Sequence, residues 1–274
     1  MSFEKSIIWQ NDGTTNGYDK IRDTSKGEII NQQDLFLSRS RAIKSTLFSP
    51  VIPPVAVGLW KFLDPTKDVY YSEWRMIPQE PNEPISWISL LKMWETWRDK
   101  DNDRHNHYIT IAVNEDLEFM GRGVYEVPNK NIRYKTFDWW ESDLDIEYDQ
   151  WFRLMCHIRK HESSGSVEWF LNDEQIFFED GIKTHFPETR IFYANSHTYY
   201  SSGEPRDRKV ITYTDESVAA SEYVPLSYRV GEDIPPRKTL AACMLPFPIL
   251  LNKLWKMRKT VFTEEQHRKL HPLI

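Results

Sequence analysis

The sequence is poor in the residues that build stapled or metal-clipped small proteins. Only two of its 274 residues are cysteine, Cys156 and Cys243, and no CxxC pair occurs. A disulfide framework and a cysteine-bound zinc are therefore excluded. Glycine is scarce, at 10 residues, and no GxxxxGK[ST], GxGxxG, GxSxG or HExxH segment is present. The nucleotide-binding, serine-hydrolase and zinc-protease classes lose their signatures. Apolar runs are short as well: Leu240–Leu251 is interrupted by Pro246 and Pro248 and falls below the roughly 20 residues a bilayer span needs. No membrane span is expected. The chain also lacks a basic start followed by an apolar leader, and it has no Asn-x-Ser/Thr site. A cytoplasmic, reducing setting is the default, and a mature secreted form stays open. Positive charge is in deficit, with 35 Lys and Arg against 41 Asp and Glu for a net −6, which argues against a nucleic-acid partner.

What the chain has is rings. It carries 11 Trp, 13 Tyr and 14 Phe with 40% hydrophobic residues, yet its mean hydropathy is −0.61. Such a chain can bury a sizeable core and still line a wet groove with aromatics. Charge divides it in two. Residues 237–274 hold eight Lys and Arg (Arg237, Lys238, Lys253, Lys256, Arg258, Lys259, Arg268, Lys269) against Glu264 and Glu265, a net of +6, so residues 1–236 carry −12. Pro235 and Pro236 open this tail, and Ile249, Leu250, Leu254 and Met257 recur at helical spacing. Thr263, three residues before Gln266, offers an N-cap for a second helix. The expected tail is a basic helical extension that packs on the body or meets an acidic partner or membrane surface.

Between residues 51 and 236, short alternating or apolar runs broken by polar turns predict an all-β sandwich. The predicted strands are Val69–Met76, Tyr108–Val113, Leu117–Gly121, Trp151–Ile158, Val167–Leu171, Gln175–Glu179, Ile191–Asn195 and Lys209–Thr214. Residues 151–179 read as a consecutive antiparallel meander, with Phe152, Leu154, Cys156 and Ile158 facing the core. Residues 1–50 read as an extension that wraps onto the sandwich. In Val69–Met76 the period of two places Tyr71, Glu73 and Arg75 on one face, read as wet, aromatic and charged. Asp99, Asp101 and Asp103 alternate as in a calcium loop, but Arg104 stands where an EF-hand needs Gly and Thr110 where it needs Glu, so a solvated hairpin loop is expected. His267 and His271 lie one helical turn apart without a third metal ligand. No metal and no cofactor are expected.

Tyr71-Ser72-Glu73-Trp74-Arg75 resembles the R-S/T-E-L-R strand of jelly-roll polysaccharide lyases of the alginate-lyase and heparin-lyase-I kind, within the wider concanavalin-like sandwiches. Their Q-I-H motif falls at Lys92-Met93-Trp94. Their Y-F-K-A-G-x-Y motif is similar to Ile191-Phe192-Tyr193-Ala194-Asn195-Ser196-His197, with His197 at the family's catalytic tyrosine. Trp151-Phe152-Arg153-Leu154, Gly165-Ser166-Val167-Glu168-Trp169, Leu171-Asn172-Asp173 and Tyr213-Thr214-Asp215-Glu216-Ser217-Val218 resemble the recurring frame of the sandwich. The likeness covers about residues 69–220.

The resemblance implies a concanavalin-like β-jelly-roll at residues 51–236, between the 1–50 extension and the 237–274 helical tail, that binds a polysaccharide. If it is a lyase, it cleaves an acidic glycan by β-elimination, which needs a group to neutralise the uronate, a base for the C5 proton and an acid for the leaving oxygen. Arg75 and Lys92 are the neutralising candidates, and His197 and Tyr199 the base and acid. Tyr71, Glu73, Trp94, Tyr193 and Tyr200 are the substrate-binding candidates. The departures bear on activity, because Trp94 cannot titrate where the family has His. A non-catalytic glycan-binding module and a structural scaffold stay open. A glycosidase would need carboxyl groups about 5–5.5 Å apart in its retaining form. The alternating Glu141, Asp143, Asp145 and Glu147 lack a Glu at the nucleophile position and read as an acidic loop.

Overall fold

Alternation of apolar and polar residues with a period of two runs through most of the chain, and it folds as strands. The structure, a computed structural model, describes residues 3–22, 27–33, 37, 42–48, 55–82, 87–114, 116–200 and 209–230. These belong to a compact unit, Met1–Gly231, whereas Glu232–Ile274 forms a second unit. The basic tail, with His267 and His271, lies outside the described residues.

The strands in chain order are β1 (Ile7–Asn11), β2 (Lys20–Arg22), β3 (Gly27–Gln32), β4 (Ala42–Leu47), β5 (Val55–Leu63), β6 (Val69–Met76), β7 (Trp87–Arg98), β8 (Arg104–Asn114), β9 (Glu118–Val127), β10 (Ile132–Asp145), β11 (Phe152–Arg159), β12 (Gly165–Leu171), β13 (Glu174–Ile182), β14 (Ile191–Tyr200) and β15 (Val210–Ala220). They form two antiparallel sheets. The eight-stranded sheet runs β13-β12-β11-β6-β15-β4-β3, with β1 also paired to β15. The seven-stranded sheet runs β10-β9-β8-β7-β14-β5-β2. The predicted sandwich is therefore present. The first 50 residues, however, are woven into it: β1, β3 and β4 join one sheet and β2 the other.

The inner faces of both sheets meet in one core, where Phe152, Leu154, Cys156 and Ile158 of β11 oppose Leu91 and Met93 of β7 and Ile109 and Ile111 of β8 within a single cluster. The β11–β12–β13 meander is as expected. Its last turn is Asn172-Asp173, both at positive φ (49° and 73°), as a two-residue hairpin of right-handed twist requires. Asp173 also accepts hydrogen bonds from Tyr223 Oη (2.7 Å) and the Leu226 backbone N–H (3.2 Å) and pairs with Arg153. These bonds fix a closing segment, residues 221–230. Val224 and Val230 there pack with Met155, Val218 and Ala220 on the outer face of the eight-stranded sheet, and Arg229 lies 4.7 Å over the Trp74 ring.

Strand β7 contains an irregularity that matters for the site. Ser89 pairs with Ala112, but the next pair is Leu91 with Ile111, so Leu90 is an extra residue. Both Leu90 and Leu91 are buried in the core. Before this bulge the even-numbered residues face inward, and after it the odd-numbered ones do.

Candidate functional site

Strand β6 carries the residues expected to form a wet face, and the structure places them differently. Tyr71, Glu73 and Arg75 are 0%, 0% and 1% exposed, on the side that meets the other sheet. Arg75 lies 3.3 Å from Glu73 Oε1 and donates to Ser196 Oγ (2.8 Å), Thr214 Oγ1 (2.9 Å) and Thr212 Oγ1 (2.9 Å). Because Ser196 belongs to β14 of the seven-stranded sheet, this guanidinium staples the two sheets together. Burial holds the Glu73 carboxyl above its usual range although Arg75 opposes that shift. These three residues are thus interior, out of reach of a polymer. Their expected substrate-facing roles are corrected. The opposite phase of β6 is covered too, by the closing segment, so this strand has no wet face.

The outward face of the seven-stranded sheet is composed otherwise. Register aligns Lys20, Trp60, Asn195, Lys92, Thr110 and Arg122 in one row across β2, β5, β14, β7, β8 and β9. The adjacent row holds Phe62, Tyr193, Trp94 and Tyr108. At a strand spacing of about 4.8 Å, Lys92 and Arg122 stand roughly 10 Å apart along their row. The rings lie nearly parallel. Trp60 and Tyr193 have centroids 4.7 Å apart at 16°, Tyr193 and Trp94 6.2 Å at 9°, and Trp94 and Tyr108 5.0 Å at 22°. Lys20 Nζ sits 4.2 Å over the Trp60 ring, and Lys92 Nζ sits 4.6 Å over Tyr108 and 5.1 Å over Trp94. The indole N–H groups of Trp60 and Trp94 are buried beneath this face and have no acceptor among the described residues.

This face is cationic on an acidic body. Desolvation first, then the neighbouring Arg122, with Arg133 and Arg22 adding to them, lowers the Lys92 pKa to about 8; Glu126 opposes the shift. Arg133 Nη2 donates to the Tyr108 hydroxyl at 2.9 Å, and burial pushes the Tyr193 phenol up. Cations along a sheet face suit an anionic ligand whose carboxylates pair with them.

No family sequence model matches the chain, and no curated protein sequence does. Solved structures do. An endo-β-1,4-glucuronan lyase from the fungus Trichoderma reesei superposes with a TM-score of 0.66 at 12% identity, over 81% of this chain and 98% of the other. Alginate lyase vAL-1 from Chlorella virus gives 0.55 at 10% identity, over 79% and 100%. Alginate lyase Aly36B gives 0.52 at 9% identity, over 81% and 98%. The fold is a jelly roll, shared with these lyases.

Within this jelly roll, Lys92, Trp94 and Tyr193 of the expected site share the outward phase of the sheet, with the Tyr193 ring covered by its neighbours (5% exposed). On β14, Phe192, Ala194, Ser196 and Thr198 are buried, which puts positions 197 and 199 in the same strand phase as Tyr193 and Asn195, and position 200 in the core phase. The side chains of His197, Tyr199 and Tyr200 lie outside the described residues, as do those of Glu141 and Asp143. Sequence reasoning missed Trp60, Tyr108, Asn195, Arg122 and Arg133. The first four stand opposite a named candidate or in line with one, whereas Arg133, paired with Glu126, reaches the site through the Tyr108 hydroxyl. The Asp99–Asp103 hairpin does bring three carboxylates within 4.8 Å of one another. Two of the three are already engaged: Asp99 by His105 and the backbone N–H groups of Asp101 and Asp103, and Asp103 by Lys130 and Asn129. Among the described residues, no helix is long and apolar enough to cross a membrane.

Proposed function

We propose that the outward face of the seven-stranded sheet binds an acidic polysaccharide and cleaves it by β-elimination. The observation that carries this reading is the row of Lys20, Lys92 and Arg122 beside stacked Tyr193, Trp94 and Tyr108, a cationic aromatic strip on a body of net −12. The polymer lies along the strip, its carboxylates drawn to the cations beside the ring row. Lys92 and Arg122 neutralise the uronate carboxylate, Arg122 taking the part first expected of Arg75. That neutralisation stabilises the carbanion-like state at C5. A base at position 197 removes the C5 proton, the released electron pair forms the C4–C5 double bond, and the C4–oxygen bond breaks. An acid at position 199 protonates the leaving oxygen.

The fold shared with glucuronan and alginate lyases supports the reading without fixing the polymer, since one fold hosts many activities. One observation favours a second reading, a non-catalytic glycan-binding module: Trp94 occupies the position where the resembling lyases have a titrating His. A single experiment separates them. The protein is incubated with polyglucuronate, alginate and a neutral glucan, while binding and the ultraviolet absorbance of the unsaturated product are followed together. The expected result is selective binding of a uronate polymer with product formation. Binding without product leaves the binding module. Equal binding of the neutral glucan, or none of any polymer, overturns both.

A further inference from the structure

A cavity of about 300 Å3 lies at the end of β7–β10. Trp97, His105 and Tyr125 reach it from the strand phase opposite to that of Lys92, Tyr108 and Glu126, so it is separate from the polysaccharide face. Phe186, from the loop between β13 and β14, and Tyr134 complete a wall of five rings. The rings hold one another. Trp97 stacks on Phe186 (4.6 Å, 27°) and on His105 (5.3 Å, 15°), and Tyr125 stacks on Tyr134 (4.7 Å, 29°). The imidazole is tied at both nitrogens, Nε2 to Asp99 Oδ2 at 3.0 Å and Nδ1 to the Tyr125 hydroxyl at 2.6 Å. Such a wall is organised before any ligand arrives.

Two carboxylates and one lysine line this wall. Asp99 and Glu188 line the cavity, and both carboxylates help burial to push the Tyr125 phenol up. An ammonium already rests on the wall: Nζ of Lys183, an exposed residue, lies 4.6 Å over the Phe186 ring. Aromatic faces attract cations through their quadrupole, and the carboxylates add to that attraction. We propose that the cavity binds a small organic ammonium ion, which displaces the Lys183 side chain from Phe186 and takes Asp99 and Glu188 as counter-charges. The proposal does not rest on the polysaccharide reading.

The test titrates the full chain with tetramethylammonium chloride, using intrinsic tryptophan fluorescence and calorimetry, against sodium chloride at equal ionic strength and against tert-butanol as a neutral probe. Saturable binding of the ammonium alone is expected. Tyr134→Leu and Glu188→Gln, both at exposed positions, each weaken it roughly three- to tenfold. Lys183→Met tightens it, and Lys183→Arg restores the original affinity. Binding to a uronate polymer stays unchanged in all four variants. Equal affinity for tert-butanol, no saturable ammonium signal, or ammonium affinity indifferent to Tyr134→Leu would each overturn the proposal.

Discussion

Raising the pH from 7 to 9 carries the Lys92 ammonium through its lowered pKa of about 8, so its charged fraction falls from about nine-tenths to about one-tenth. If that charge holds the uronate, affinity for a short uronate oligosaccharide falls about tenfold across the interval. Stability moves the other way. In the unfolded chain the lysine keeps its proton up to its ordinary 10.5. Between about 8 and 10.5 the unfolded state therefore binds more protons than the folded one, and folding stability rises with pH, by at most about 3 kcal/mol. One group thus produces two opposite trends. Calorimetric titration with the oligosaccharide and urea melts over the same pH series measure both, and Lys92→Gln should flatten both while lowering affinity at pH 7. Affinity that rises through pH 8 would refute the reasoning, since it would mean that the neutral amine is the working form.

Arg75→Met strands the Glu73 carboxylate between the sheets and should cost about 3–5 kcal/mol in a urea melt; loss of uronate binding with stability unchanged would instead place Arg75 at the substrate. Trp94→Ala removes the middle of the ring row and both of its stacking contacts, and should lower stability by about 3 kcal/mol in a urea melt while weakening oligouronate binding by about 1 kcal/mol, read by calorimetry on the folded variant. Gly123→Ala builds a Cβ 2.2 Å from Thr136 Oγ1 and 2.5 Å from Phe137 Cε1, so destabilisation of about 1–3 kcal/mol is expected. Asp173→Ala frees Tyr223 and the Leu226 N–H, and amide hydrogen exchange in residues 221–230 should accelerate while β7 and β14 stay protected.

Strands whose pattern is uninterrupted were legible in the sequence. Val69–Met76 matches β6 at both ends, and the β11–β13 meander follows from alternation plus its turn residues. The strands of the first 50 residues were not legible, because β2 spans three residues and β3 and β4 are short segments that take their pairing from distant partners. Lys92, Trp94 and Tyr193 were legible through the motif resemblance and not through strand phase, since the strand Trp87–Arg98 that carries the first two was not among those predicted. Arg122 escaped because Gly121 and Gly123 flank it and interrupt the strand signal. Tyr71, Glu73 and Arg75 were misassigned for a different reason. Alternation separates two faces but does not say which one meets water, and on β6 the sister sheet covers one while residues 221–230 cover the other.

The extra residue at Leu90 makes the site a matter of parity. Everything beyond it on β7 takes its direction from that one added residue: Lys92 and Trp94 outward, Met93, Glu95 and Trp97 inward. Deletion of Leu90 would leave composition and pairing potential nearly intact, yet it would force one half of the strand to exchange its faces. Either Ile88 turns outward, or Lys92 and Trp94 enter the core while Met93 and Glu95 take their place. Where the outer half of β7 is the one that turns, the cationic strip is lost and the ring-lined cavity deforms in the same event.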